Sequence, residues 1–379
     1  MSYLEYTVKS TPTGIRKILF LNWPLILLLS SVACVGFLML YSVAGGSFTP
    51  WAEPQMKRFA VGLVLMVAVG MVPIWFWRSM AGFGYGLTII LLIGVDLFGA
   101  EGKGAQRWID LGFMRLQPSE LMKITLVMFL ASYYDWLPSK KRSRPLWVLI
   151  PIVVILFPTA LVLKQPDLGT SLLLVMAGGG LMFLAGVHWA YFAAVIASGL
   201  GLIVAVFQSR ETAWQMLNNY QYRRIDTFLD PSADPLGAGY HITQSKIALG
   251  SGGWTGRGFM QGPQSRLNFL PEKHTDFIFT TLAEEFGFIG GISLLTIYLL
   301  VVFFCVTSAL VNRDRFSSLL ILGIALNFFL FFSVNMAMVM GLIPVVGVPL
   351  PLVSYGGSAM LVLMIAFGLV QSAHVHRPR

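Results

Sequence analysis

Residues 277–309 read FIFTTLAEEFGFIGGISLLTIYLLVVFFCVTSA, and beyond Glu285 this run carries no acidic or basic side chain. An apolar run of about 18 residues or more has the length of an α-helix that crosses the hydrocarbon core of a bilayer. A soluble protein would have to wrap such a segment in a charged exterior, and the chain lacks one. Of its 379 residues 56% are hydrophobic and 11% are charged, against about 25% charged in a soluble domain.

Working outward, comparable runs occupy 22–42, 59–77, 81–98, 120–137, 146–163, 170–186, 189–207, 317–342 and 355–373. The expected fold is an all-α integral membrane protein of about ten transmembrane helices. The fourth run begins with ionisable residues, and the sixth is short, with Gly178, Gly179 and Gly180 at its middle. No small-residue cleavage site follows the polar first twenty residues, so the first run is expected to stay as a span. Cys34 and Cys305 lie in separate apolar runs without partners at motif spacing, which points to packing and not to a disulfide or a metal.

An even number of spans puts both termini on one side. Lys140, Lys141, Arg142 and Arg144 in the loop 138–145, Arg313 and Arg315 in a loop of the same parity, and Arg377 and Arg379 all fall on that side, with Arg16 and Lys17 before the first span. The loops at 43–56 and 343–353 contain no Lys or Arg. The positive-inside rule therefore predicts cytoplasmic termini, and it accounts for the net charge of +9 without a nucleic acid partner. The chain is expected to be one membrane domain, 1–379, with 208–275 as a large extracytoplasmic loop. A loop of that length is uncommon in a compact protein unless it serves function. A short amphipathic helix is expected around 241–249, HITQSKIAL. No internal repeat supports an inverted-repeat transporter.

Polar residues at membrane depth are costly and default to functional candidates. They form four groups, each with a plain alternative. In GAQRWIDLGFMRLQPSELMK (104–123), Arg107 and Trp108 stand at the interface, and Glu120 and Lys123, at i and i+3, pair on one helix face; the alternative is an interfacial belt with a satisfied ion pair. In LKQPDLGTS (163–171), Lys164 and Asp167 flank a turn made by Pro166 and Gly169, where a local salt bridge is the simpler reading. The long loop holds Arg223 and Arg224, then glycines 250, 252, 253, 256 and 258, either a backbone nest for an anion such as a lipid diphosphate or a flexible loop on the membrane surface. It does not fit a nucleotide-binding spacing. In LPEKHTDFIF (270–279), Thr275 is the expected N-cap and Asp276 the first-turn carboxylate, a general base or simply compensation of the helix dipole. Glu284 and Glu285, about two turns deeper, are expected to form a structural network. None of the five histidines has convincing metal-ligand spacing.

The stretch from Asn335 to Ser358, NMAMVMGLIPVVGVPLPLVSYGGS, resembles the signature of the shape, elongation, division and sporulation (SEDS) family at Asn335, Gly341, Pro344, Gly347, Ser354, Tyr355, Gly356, Gly357 and Ser358. The similarity extends through QPSE, QPDLGTS, QSKIALGSGG and LPEKHTDFIF, and GSGGWTGRGF followed by GPQS is more similar to the RodA branch than to the FtsW branch. The resemblance implies ten spans in the bacterial inner membrane and a peptidoglycan glycosyltransferase that uses lipid II as donor and acceptor. It implies a class B penicillin-binding transpeptidase and other elongation-complex proteins as partners, with undecaprenyl diphosphate as the leaving group. It nominates Asp276 as the catalytic base. Arg107, Trp108, Glu120, Lys123, Lys164, Asp167, Arg223, Gln244, Lys246 and His274 are the expected substrate contacts. No cofactor is certain, although a divalent cation (Mg or Mn) would suit a diphosphate. The rival expectations are a lipid II flippase and a non-catalytic scaffold; clustering of ionisable residues at one face favours chemistry over transport.

Overall fold

The computed structural model describes residues 14–102, 105–110, 112, 115–210, 212, 214–216, 218, 222, 225–226, 229–230, 238–267, 269 and 272–377. Ten long helices correspond to the ten expected runs: α1 Trp23–Val43, α2 Ala52–Met71, α3 Ile74–Phe98, α4 Pro118–Trp136, α5 Pro145–Lys164, α6 Leu168–Leu184, α7 Trp189–Gln208, α8 Ile278–Val311, α9 Arg315–Val339 and α10 Gly357–Val375. Eight are long and apolar enough to cross a membrane. The other two are α4, with its polar first turn, and α6, which has 17 residues.

The run expected at 59–77 is not one span. α2 starts earlier, at Ala52, with a polar entry that includes Glu53 and Gln55, and it stops at Met71. Pro73 has no N–H and disfavours helical backbone in the residue before it. Val72 is accordingly extended at ψ 134°, and Pro73 becomes the N-cap of α3. Lys17 Nζ donates to Met71 O (2.9 Å) and satisfies a carbonyl left over at the end of α2.

α2 and α10 pack most extensively of all the pairs, and glycines make the approach possible. A Cβ on Gly62 would sit 2.8 Å from Met364 Cγ, and one on Gly368 2.7 Å from Val69 Cβ. Within lipid, close packing of this kind replaces the hydrophobic drive between helices. α9 is the central helix and touches α4, α6, α8 and α10. Tyr298 of α8 stacks on Phe332 of α9 at 4.8 Å and donates its buried hydroxyl to Pro351 O (2.6 Å). α7 has no buried residue.

Between α3 and α4 lies a small antiparallel sheet that the sequence reading did not foresee: β1 Ala100–Gly102, β2 Ala105–Asp110 and β3 Arg115–Leu116, in the order β1-β2-β3. It sits at the end of the bundle away from the start of α1 and the end of α10, called the far face below. The helix expected around 241–249 is present as Ala238–Ser251. It lies on α8 and α9, with buried Ser245 Oγ donating to Val339 O (2.7 Å).

α8 is interrupted at Gly287, whose backbone (φ 66°, ψ −161°) leaves the helical region. An interruption in lipid strands backbone donors and acceptors that need partners. The glycine-rich stretch supplies them. Arg257 N and Gly258 N donate to the carbonyls of Glu284 (2.9 Å) and Glu285 (3.0 Å), while Phe288 N and Ile289 N donate to Gly253 O (2.9 Å) and Trp254 O (3.1 Å). The donors of Arg257 and Gly258, which an anion nest would have used, are thus engaged by the helix, and the stretch is docked. The network expected at Glu284 and Glu285 is present: Gln264 N donates to Glu284 Oε1 (2.9 Å) and Ser42 Oγ to Glu285 Oε1.

Candidate active site

Between α9 and α10 the segment GLIPVVGVPLPLVSYG (341–356) has three prolines, at 344, 349 and 351, and cannot continue either helix. Gly341 (φ 73°) and Gly347 (φ 71°) take left-handed turns in it that a side chain would strain. This segment holds the turn 272–277 by its main chain. Asn335 of α9, fully buried, donates through Nδ2 to Asp276 O (2.8 Å) and Val348 O (2.6 Å). Ser354 Oγ donates to Thr275 O (2.5 Å), and Tyr355 N donates to His274 O (2.9 Å). Three successive carbonyls are therefore fixed, and the Asp276 side chain is set by its backbone. Its Oδ2 faces Gly347, 3.6 Å from where a Cβ there would lie.

The expected cap differs. Phe277 is the N-cap of α8, without a side-chain capping bond, and Thr275 Oγ1 turns back to Glu272 Oε2 (2.8 Å). Asp276 thus lies in the turn before the helix and not in its first turn. His274 stacks on Trp51 at 4.6 Å. Gln55, fully buried near the start of α2, donates to Ser354 O (2.9 Å), and the Arg58 guanidinium lies 5.0 Å from the Tyr355 ring centroid. Lys273 is buried beside this turn, and burial pushes its ammonium below the usual lysine range.

Glu120 and Lys123 form the expected pair at 2.7 Å, with side chains only 9% and 3% exposed, and Lys123 Nζ lies 3.8 Å from the Phe331 ring centroid. They line a pocket between α4, α9 and α10, whose wall includes Pro349, Leu350 and Ser354. The segment that fixes the Asp276 turn is thus also the cavity wall, although Asp276 is not among the residues lining it. Breaking a buried ion pair by removing one partner costs about 3–5 kcal/mol, whereas neutralising both often costs little. Lys123→Met is expected to lower thermal stability in detergent sharply, and Glu120→Gln/Lys123→Met to restore most of it. Equal losses in the single and double variants would show that the pair is not what these side chains contribute.

At the second group Arg107, on β2, donates to Gln165 O (2.8 Å) and Pro166 O (2.6 Å) and so pins the turn between α5 and α6. Trp108 is half-buried on the same strand, paired with Ala100. The expected Lys164–Asp167 salt bridge does not form. Asp167 caps α6 by accepting from Thr170 N (3.0 Å), and Lys164 at the end of α5 pairs with Asp96 of α3. The close approach of this turn to the 341–356 segment requires Gly169, where a Cβ would lie 2.6 Å from Val346 O. Lys246 lies against Gly341, its Nζ 2.9 Å from a Cβ placed there, and Gln244 is half-buried on the same short helix. Arg223 falls outside the described residues.

The 341–356 segment therefore brings together Asp276, His274, Lys246 and the Asp167 turn, and shares its cavity with Glu120 and Lys123. The sequence reading assigned no role to Gln55, Arg58 or Lys273, and it used Asn335, Ser354 and Tyr355 only as positions of similarity. A lone amide in an apolar run, such as Asn335, is the kind of signal that marks an intramembrane site. Among the described residues, no group of three or more His, Cys, Asp or Glu side chains is placed to hold a metal ion.

Comparison with known proteins supplies the context. Residues 18–379 match the model of the FtsW/RodA/SpoVE family, described as cell cycle proteins. The peptidoglycan glycosyltransferase MrdB of Escherichia coli is 44% identical over 357 residues, covering 93% of each chain. A solved chain of a peptidoglycan synthase complex, in which polymerization and crosslinking are coordinated, superimposes with a TM-score of 0.80 at 29% identity over 93% of this chain and 97% of that one. The crystal structure of the rod shape determining protein RodA of Thermus thermophilus superimposes with a TM-score of 0.71 at 26% identity, over 95% of this chain and 98% of that one.

Proposed function

The chain belongs to the SEDS family of FtsW, RodA and SpoVE proteins and is a peptidoglycan glycosyltransferase, and on that premise we propose that it polymerises lipid II during elongation with Asp276 as general base. Asp276 takes the proton of the acceptor's 4-hydroxyl as that oxygen attacks the anomeric carbon of the donor. The undecaprenyl diphosphate leaves, and the configuration inverts from α to β. One carboxylate suffices where a glycosidase needs two, because a diphosphate leaves with its charge neutralised and needs no proton. Neutralisation falls to basic side chains at the far face: Lys123 and Lys273 within the protein, with Arg58, Arg107, Lys164 and Lys246 around them; Arg223 joins them as a candidate from the sequence alone. A magnesium or manganese ion bound with the substrate would add positive charge at the diphosphate; among the described residues no group of three or more His, Cys, Asp or Glu side chains is placed to hold one.

The observation that carries this reading is the fixing of His274, Thr275 and Asp276 through three successive carbonyls by Asn335 of α9 and by Ser354 and Tyr355 of the segment behind them. A base must be held within reach of the hydroxyl it deprotonates, and a main-chain clamp fixes the backbone from which the Asp276 carboxylate extends. The flippase reading needs a polar path through the bundle. Among the described residues, the buried Asp, Glu and Lys side chains (Glu120, Lys123, Asp167, Lys273, Glu284 and Glu285) lie at or near the far ends of α4, α6 and α8.

The partner is a class B penicillin-binding transpeptidase, and the membrane is the bacterial inner membrane with both termini cytoplasmic. The test is incubation of purified lipid II with the detergent-solubilised protein co-purified with that transpeptidase. Long glycan strands that muramidase degrades are the expected product. Their absence, with complex and substrate verified, would count for the flippase or scaffold.

A further inference from the structure

At the opposite end of the bundle, where α1 begins and α10 ends, the buried hydrogen-bond donors without an acceptor include Tyr134 Oη, Arg142 Nε and Arg315 Nη2. They belong to one neighbourhood. Arg142 is within electrostatic range of both Tyr134 and Arg315. Tyr134 is fully buried near the end of α4, Arg142 follows in the loop to α5, and Arg315 opens α9. The two guanidinium groups are anchored by their other nitrogens. Arg142 donates to Ala185 O (3.0 Å) and Ser139 Oγ (2.7 Å), and Arg315 donates to Leu137 O (3.4 Å).

Among the described residues, no carboxylate closes this cluster by a contact within ion-pair range. Asp135 acts on Arg315 from a distance, but its ion pair is with Arg78 (3.4 Å), and Asp314 is bound by Arg78 as well. Lys140, Lys141, Arg144 and Arg313 surround the cluster and are exposed. Two like charges held together with unused donors and a buried phenol lack one thing, an anion with several acceptor oxygens.

We propose that Tyr134, Arg142 and Arg315 bind a phosphate group, supplied by an anionic phospholipid of the adjoining leaflet. The neighbourhood places a headgroup there. Trp136, Leu146 and Trp189 are 67%, 70% and 65% exposed around the cluster, and the Lys141 ammonium lies 5.1 Å from the Trp147 ring centroid. Exposed tryptophan beside lysine and arginine is the composition of a membrane–water interface, and basic pockets between helices are where acidic headgroups settle.

The full-length protein, stripped of lipid in detergent, is titrated with phosphatidylglycerol and with phosphatidylcholine of the same acyl chains, and bound lipid is counted by native mass spectrometry. Phosphatidylglycerol should bind in preference. Tyr134→Phe should weaken it about threefold to tenfold, the worth of one hydrogen bond, and Arg142→Gln by tenfold or more. The tyrosine variant is decisive, because its hydroxyl has no protein partner and its removal leaves the fold intact. Competition by millimolar inorganic phosphate, lost in Tyr134→Phe, would keep the phosphate site and make its source soluble. Equal binding of the two lipids, or phosphatidylglycerol binding unchanged in both variants, would overturn the proposal.

Discussion

Asp276→Asn is expected to abolish glycan polymerisation, lowering the rate by at least about 10²-fold, the lower end of what a positioned general base contributes. The substitution is isosteric and leaves untouched the carbonyls through which Asn335, Ser354 and Tyr355 hold the turn. Elution profile, melting temperature and co-purification with the transpeptidase should therefore match wild type. Asp276→Glu should also fail, because the longer side chain is driven towards Gly347 and carries its oxygens away from where the shorter one places them. The comparison is made on lipid II, with strand length as the readout. Retention of a tenth or more of the wild-type rate by the asparagine variant would move the base elsewhere in the site.

The second large effect is structural. A side chain at Gly256 would collide with the carbonyl of Glu285, and its φ of 84° already excludes most residues. Gly256→Val should expel the stretch from α8 and orphan both sides of the break at Gly287. Each buried backbone group left without a partner costs about 1–3 kcal/mol, so four lost bonds exceed what a marginally stable protein can absorb. The expected result is loss of folded protein from detergent extracts. Gly250 is the control, since a Cβ there meets nothing within 4 Å and the residue lies inside the Ala238–Ser251 helix. Gly250→Ala should leave stability unchanged or raise it by up to about 1 kcal/mol. A well-folded Gly256→Val protein would mean that the docking is dispensable.

The spans were legible because lipid imposes one requirement on every residue of a run, and length and apolarity record it. The break between α2 and α3 was signalled by Pro73, yet apolarity continues through it and masks the stop. The interruption of α8 left no trace in hydropathy, because Gly287 sits among apolar neighbours and its partners come from a loop earlier in the sequence. The same reason hid Asp96 as the partner of Lys164: pairing across two helices depends on their relative placement, which local spacing does not encode. Within the site, the i, i+3 geometry of Glu120 and Lys123 was local and readable. The clamp on residues 274–276 joins positions 59 to 81 residues apart, and no local pattern announces it.

The docked stretch also bears on how the protein is made. Residues 252–262 precede α8 in the chain, so they leave the ribosome first and, with the termini cytoplasmic as proposed, cross the membrane before α8 enters it. When α8 inserts, the groups that will close its break are already waiting on the far side. The reverse order along the chain would have exposed bare peptide groups to hydrocarbon for the seconds that synthesis of the missing piece takes, at about 5–20 residues per second.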